Sequence, residues 1–261
     1  MSGMTTRESG SGTGTWELVG KRALVTGGSR GIGAAVVRQL LDAGAEVLTT
    51  ARSASAAVPE GAAFVAADVR TRAGAEALAA AAREVLGGVD VLVHNVGGAA
   101  PHKGALAIPD EEWQDALDLN FLASVRLDAL LAPEMRERRS GAIVHVSSAA
   151  VPTVAPPFLH YTTAKAALEN YSRGLAQELA PFGVRVNTVV PGRTATPGGE
   201  RTREQWARLT EGPGQDTTTP PLGREGRPDD IADAVLFLLS GRANWLTGSS
   251  LVVDGGEFPR G

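Results

Sequence analysis

Short apolar runs alternate with stretches of helical spacing along most of this chain. The apolar runs predict strands at Arg22–Thr26, Glu46–Ala51, Ala62–Ala66, Val89–Asn95, Ala142–Ser147, Val184–Val190 and Leu251–Asp254. Val89–Asn95 is apolar almost throughout, as a strand covered on both faces should be. Helical spacing predicts Ile32–Ala43, the Ala-rich Ala75–Leu86, and a long Asp110–Arg139 bent near Pro133. It also predicts Leu159–Ala180, stopped by Pro181 and Gly183, and Pro228–Ser240 with proline in its first turn. The alternation implies an α/β fold: a doubly wound, Rossmann-type parallel sheet of about seven strands flanked by helices. No internal repeat or interdomain linker interrupts it, so residues 16–261 are expected to form a single domain.

Two segments stand outside the pattern. The first fifteen residues are rich in Gly, Ser and Thr and lack an apolar stretch, which predicts a disordered tail rather than a signal peptide. Arg193–Arg227 is rich in Pro, Gly and Thr around a short helical piece, Arg203–Thr210. It follows the sixth strand and so starts at the edge where ligands bind in such sheets. A long irregular segment in that place predicts a lid, with Trp206 and Leu209 on the inner face of its helix.

Composition narrows the partners. Hydrophobic residues make up 43% of the 261, aromatics only 5%, so Ala, Val and Leu must fill most of the core. The formal net charge is −4 and no basic block appears, which argues against nucleic acid. No apolar run approaches the ~20 residues of a membrane span. Cysteine is absent, which excludes disulfides and thiolate chemistry and fits a reducing cytoplasm. Of the 25 Lys and Arg residues only 3 are Lys, and Lys165 is one of them.

Three groups of residues carry candidate chemistry. Thr26-Gly-Gly-Ser-Arg-Gly-Ile-Gly33 lies between a predicted strand and a predicted helix. Glycines there permit a tight turn and close approach of backbone to a pyrophosphate. The cofactor set offered by this turn is Gly27, Ser29, Arg30, Gly31, Ile32 and Gly33. Tyr161 and Lys165 are four apart and share a helix face thirteen residues beyond Ser148. An ammonium beside a phenol favours phenolate, which predicts a lowered Tyr161 pKa. The second strand ends Thr49-Thr50-Ala51-Arg52, with no carboxylate at Ala51 to bind a ribose 2′-hydroxyl. Arg30 and Arg52 instead offer positive charge, which predicts NADP(H) over NAD(H).

From about Leu18 to Asp254 the chain resembles the short-chain dehydrogenase/reductase family. Thr26–Gly33 fits that family's glycine turn, and Asp68-Val69 fits its adenine-contacting pair. Asn120, Ser148, Tyr161 and Lys165 match its catalytic asparagine, serine and YxxxK. Pro191-Gly192 and Thr196 match the segment after its sixth strand, and Thr247-Gly248 with Asp254-Gly255-Gly256 match its C-terminal signature. Two departures stand out. His94-Asn95-Val96-Gly97 replaces the usual N-N-A-G, retaining Asn95 and Gly97, and Thr194 stands where an apolar residue is common.

The resemblance implies a carbonyl reductase or alcohol dehydrogenase working on a small molecule. Tyr161 would move the proton, Ser148 would hold the reacting oxygen, and Lys165 would bind the nicotinamide ribose and lower the tyrosine pKa. Asn120 would hold a relay water. Asn95, Gly97, Pro191, Gly192, Thr194 and Thr196 would complete the cofactor site with Asp68 and Val69. Other reactions of the family (epimerisation, dehydration, double-bond reduction) are alternatives, and a non-catalytic dinucleotide sensor is a weaker one. The resemblance also implies a homotetramer built on the long helices and the last strand. An acyl-carrier protein is the less expected partner, because Ala180-Pro181-Phe182-Gly183 lacks basic residues; Arg136, Arg138 and Arg139 carry positive charge elsewhere. The four histidines stand singly in sequence, without metal-ligand spacing, and no metal is expected. His94 and His145 read as strand residues; His160 adjoins Tyr161 and His102 lies in the loop after the fourth strand, so substrate contact is the lesser alternative for either. The apolar loop Ala149–Leu159, including Phe158, is expected to wall the substrate pocket.

Overall fold

The computed structural model describes residues 18–209 and 219–258. The predicted tail and the middle of the predicted lid lie outside them. Seven strands form one parallel sheet in the order β3-β2-β1-β4-β5-β6-β7. They are β1 (Arg22–Thr26), β2 (Glu46–Ala51), β3 (Ala63–Ala66), β4 (Val91–His94), β5 (Gly141–Val146), β6 (Val184–Pro191) and β7 (Ser250–Val253). Strand order reverses between β1 and β4, and a crevice opens there at the carboxyl ends of the strands.

Period-two alternation sends neighbouring residues to opposite faces. Val25, Val93 and Val144 join one core layer with α1 (Gly31–Asp42) and α7 (Pro228–Leu239). Leu24, Leu92 and Ile143 join the other, with α2 (Arg72–Leu86), α4 (Ala123–Arg138) and α5 (Leu159–Leu179). Both faces are therefore covered, which is why these strands read as unbroken apolar runs.

Three boundaries differ from expectation for local reasons. Helix α2 starts before Ala75, because the Thr71 hydroxyl accepts from Gly74 N–H at 3.0 Å and caps it. The long helical region keeps Pro133 inside α4, which runs through it. It divides earlier, into α3 (Asp110–Leu117) and α4, at a π-helical turn over Asp118–Leu122. The lid helix α6 spans Pro197–Leu209, longer than the predicted piece, because Thr196 Oγ1 accepts from Gly199 N–H at 3.0 Å above Pro197.

The segment expected to be a lid has its two ends joined at the base. Ala195 N–H donates to Gly226 O at 2.8 Å and Gly226 N–H to Arg193 O at 2.9 Å. Trp206 faces inward onto Phe158, as expected. Leu209 does not; it is 38% exposed at the far end of the helix.

Candidate active site

The crevice is a cleft of about 680 Å³ that reaches from the glycine turn to Tyr161. Its floor is built by steric exclusion. Gly27 and Gly31 have φ of +74° and +54°, where a side chain would be strained. A Cβ on Gly28 would meet Thr49 Oγ1 at 2.1 Å, and one on Gly33 would meet Gly27 O at 2.2 Å. Gly28 packs inward beneath the turn, where its N–H donates to Thr49 Oγ1 at 3.1 Å. Gly33 lies behind the lining and lets α1 seat against the turn. Ser29, Arg30, Gly31 and Ile32 face the cleft.

Asn95 braces this floor. Its amide Nδ2 donates to Thr26 O at 3.1 Å and Gly27 O at 3.2 Å. Thr26 Oγ1 accepts from Asn95 N–H and Val96 N–H at 3.0 and 3.2 Å. The bulkier Val96 is accommodated against Gly27, where it packs at the position a Gly27 Cβ would approach.

Positive charge gathers at one end. Arg30 and Arg52 line the cleft as expected, and Arg201 of α6 joins them. Burial, then the charges of Arg201 and Arg52, push the Arg30 guanidinium pKa down. Among the described residues no carboxylate forms an ion pair with any of the three. Such a cluster is the signature of an anion site, and the backbone cradle beside it suits a pyrophosphate. Asp68 and Val69 lie on the cleft wall. Asp68 is held by Arg70, with Nη2 to Oδ2 at 2.7 Å, and its hydrogen bonds with Arg70 hold the carboxyl low.

At the other end Ser148, Tyr161 and Lys165 line the cleft together. The adjacent Ser147 is committed elsewhere: its hydroxyl donates to Glu169 Oε1 at 2.7 Å. Lys165 Nζ donates to Val146 O at 2.8 Å. A Cβ on Gly97 would lie 3.0 Å from both Lys165 Nζ and Asn120 Oδ1, so glycine is needed there. Asn120 is buried in the π-helical turn behind this wall. Its Oδ1 accepts from Gly98 N–H at 3.0 Å, and its Nδ2 donates to Gly98 O and Ala116 O, each at 3.1 Å.

The expected lowering of the Tyr161 pKa is not met. Burial raises it, and the hydrogen bond with Ser148 offsets only part of that. Lys165 bears the complementary change: burial lowers it to about 8, although Glu169 opposes the shift. Spacing reveals proximity on a helix, whereas the loss of hydration that dominates here depends on the whole fold.

The segment after β6 closes the cleft. Pro191, Gly192, Thr194 and Thr196 line it. Thr194 is tethered through its hydroxyl to Gly192 O at 3.0 Å, and Thr196 packs over Gly31. Thr202 Oγ1 of α6 donates to Ala99 O at 3.1 Å and joins the roof to the loop after β4.

The histidines do not stand singly. The register of β4 on β5 sets His94 opposite His145. Their rings stack at 4.8 Å, and Asp128 bridges them, with Oδ1 to His94 Nε2 at 2.8 Å and Oδ2 to His145 Nε2 at 3.1 Å. His102 and His160 form a second, edge-to-face pair at 5.2 Å. Neither lines the cleft, so substrate contact is not supported for either. The missed signals have a common origin: they depend on strand register and loop path.

A family model described as enoyl-(acyl carrier protein) reductase matches residues 27–257. The chain is 34% identical to the 3-oxoacyl-(acyl-carrier-protein) reductase of Vibrio cholerae, over 92% of this chain and 98% of that protein. It is 37% identical to the L-rhamnose 1-dehydrogenase (NAD(P)(+)) of Azotobacter vinelandii, with the same two coverages. Among solved structures it is similar to L-sorbose reductase from Gluconobacter frateurii in complex with NADPH and L-sorbose. That match has a TM-score of 0.83 at 31% identity, covering 94% of this chain and 99% of the other.

Proposed function

The chain belongs to the short-chain dehydrogenase/reductase family and is an oxidoreductase of alcohol or ketone groups, and on that premise we propose that it is an NADPH-dependent ketoreductase of small, free carbonyl compounds. The observation that carries this reading is the single cleft that joins Ser148, Tyr161 and Lys165 to a glycine cradle and to Arg30, Arg52 and Arg201.

The cradle fits a dinucleotide, since Gly27 and Gly31 take positive φ and present bare backbone to the cleft. Gly27–Ile32 would hold the pyrophosphate, and Asp68 and Val69 the adenine. Arg30 and Arg52 would grip a 2′-phosphate, and Ala51 places no carboxylate against it. When bound, the nicotinamide supplies the hydride.

The chain's own groups manage the oxygen and its proton. Ser148 Oγ donates to the substrate oxygen and stabilises charge that develops on it. The Tyr161 hydroxyl gives that oxygen its proton. Its raised pKa keeps the phenol protonated before turnover, which suits reduction. Lys165, fixed by the Val146 carbonyl, orients the ribose hydroxyls and replaces the proton on Tyr161. Asn120, held at both amide atoms, keeps the Gly97–Gly98 backbone in place beside Lys165.

A free substrate is favoured over a carrier-bound one. Arg138 pairs with Asp90 and Arg139 binds Pro181 O, so these arginines lie at the amino ends of the strands, away from the cleft. Helix α6 acts as a lid, and β7, an edge strand, serves with α4 and α5 in a homotetramer. The deciding assay is NADPH oxidation against a panel of sugar-derived, aliphatic and carrier-bound ketones. Turnover confined to carrier-bound substrates, or to enoyl substrates, would replace this reading.

A further inference from the structure

A second cluster of titratable groups lies outside the cleft and has no part in the chemistry above. His102 comes from the loop after β4, Glu112 from α3, and His160 from the first turn of α5. One nitrogen from each ring and one Glu112 carboxylate oxygen lie within 4.8 Å of one another. The rings meet edge to face at 5.2 Å, and Trp113 packs edge-on to His160 at 6.2 Å. The loop is pinned there by its backbone, because His102 N–H donates to Pro157 O at 3.0 Å.

Two atoms of this cluster lack what buried polar atoms ordinarily have. Among the described residues His102 Nε2 and His160 Nδ1 are buried without a hydrogen-bond partner, and His160 is only 3% exposed. Buried polar atoms ordinarily have such a partner, and leaving them without one is destabilising. The other histidine pair is different: both oxygens of Asp128 already engage an imidazole, and His145 Nδ1 meets Ser172 Oγ at 3.1 Å. The His94 pair is satisfied by protein alone, whereas the His102 pair is not.

We propose that His102, Glu112 and His160 form a binding site for a zinc-class divalent ion, with two imidazole nitrogens and one carboxylate oxygen as ligands. Two nitrogens and one oxygen from three separate elements suit Zn²⁺, with water completing a tetrahedron. Ligand atoms on one Zn²⁺ stand roughly 3–3.5 Å apart given bonds of about 2.0–2.2 Å. Drawing the three side chains together therefore takes an ångström-scale side-chain movement and no change in the helices. The ion would clip the loop after β4 to α3 and α5, one residue from Tyr161. Its role is positional, since none of its ligands lines the cleft.

The test uses full-length, untagged protein stripped with a chelator. Zn²⁺ is titrated by calorimetry and Co²⁺ by visible absorption, and both are repeated on His102→Gln and Glu112→Gln. The expected result is one ion per chain at micromolar dissociation constant or tighter, with a ligand-field band for bound Co²⁺. Each variant should weaken binding by about tenfold or more, in line with losses seen on perturbing metal sites. Both variants sit in partly accessible elements, and circular dichroism will verify that they fold. Three results would overturn the proposal: no stoichiometric binding, undiminished binding in both folded variants, or binding lost in Asp128→Asn but kept in His102→Gln.

Discussion

The Trp206 ring of α6 rests 5.8 Å from the Phe158 ring, tilted by 42°, so the roof of the cleft is propped on the opposite wall. An aromatic pair contributes about 0.5–1.5 kcal/mol beyond area burial. Trp206→Ala should therefore raise KM for the carbonyl substrate roughly 2- to 10-fold and leave the Kd for NADPH within about twofold. Steady-state kinetics and fluorescence titration of cofactor check this. An unchanged KM would mean that the contact does not hold the closed state.

Tyr161→Phe removes the hydroxyl and keeps the ring. Loss of general acid catalysis lowers turnover by roughly 10²–10⁴. Cofactor binding should persist, because the glycine cradle and arginines are untouched. Single-turnover NADPH oxidation near the wild-type rate would remove Tyr161 from its role.

Cofactor preference should follow the arginine cluster. Arg30→Ala and Arg52→Ala should each reduce kcat/KM for NADPH by about tenfold or more and change NADH little, since charge-assisted bonds contribute ~1.5–3 kcal/mol. Ala51→Asp combined with Arg52→Ala should abolish the preference. Arg201→Ala separates lid from phosphate: an NADPH-specific loss would mark α6 as part of the phosphate grip. Equal use of both cofactors by wild type would overturn the assignment.

The pH profile should report Lys165. Burial holds its pKa near 8, so its charge disappears as pH rises through that value. Reduction should lose rate above about pH 8, well before Tyr161 ionises, because burial pushes Tyr161 up. In Lys165→Arg any residual activity should lack this limb, arginine being always charged. Stability carries the opposite sign. The folded pKa lies below the unfolded 10.5, so the cost of charging Lys165 is fully present below about pH 8. It is relieved between about 8 and 10.5, and wild type should gain up to about 3 kcal/mol relative to Lys165→Met across that window.

Asp128→Ala should destabilise the protein by about 3–5 kcal/mol, because it strands two buried imidazoles. Burial opposes ionisation of Asp128, but His94 and His145 outweigh it and hold the carboxyl well below its usual range. Its contribution is present above the ordinary carboxylate pKa and fades as pH falls beneath it. Chemical denaturation at pH 7 and pH 2 should show the wild-type advantage shrinking in acid, because the loss begins only below the ordinary carboxylate value. An undiminished advantage at pH 2 would contradict a charged Asp128.

The central strands were legible because they are buried on both faces and the helices on one, and that periodicity is written locally. Ser148, Tyr161 and Lys165 were legible because they are fixed to β5 and one face of α5. The π-helical turn at Asp118–Leu122 was not, since its apolar spacing passes for ordinary helix. Arg201 escaped notice for another reason: what it faces depends on how a loop folds back. The pairing of His94 with His145 follows from strand register, which no stretch of sequence states by itself. Leu209 was misplaced because a helical wheel assigns an inner face to a residue that here ends beyond the wall it would cover.

The hydrogen bonds joining Arg193–Ala195 to Gly226 make the intervening lid an exchangeable cassette. Its ends are held by these backbone bonds and by Glu257, whose Oε2 accepts from Arg193 N–H at 2.7 Å, so the tether lies outside what the cassette contains. Doubling the length of a flexible loop costs only ~0.6 kcal/mol in closure entropy. Insertions, deletions or grafted sequences between those anchors should therefore leave the sheet, Tyr161 and Lys165 undisturbed while altering which carbonyl compounds are admitted. Selectivity and chemistry are thus housed in separable parts of one chain, and one can diverge while the other stays fixed.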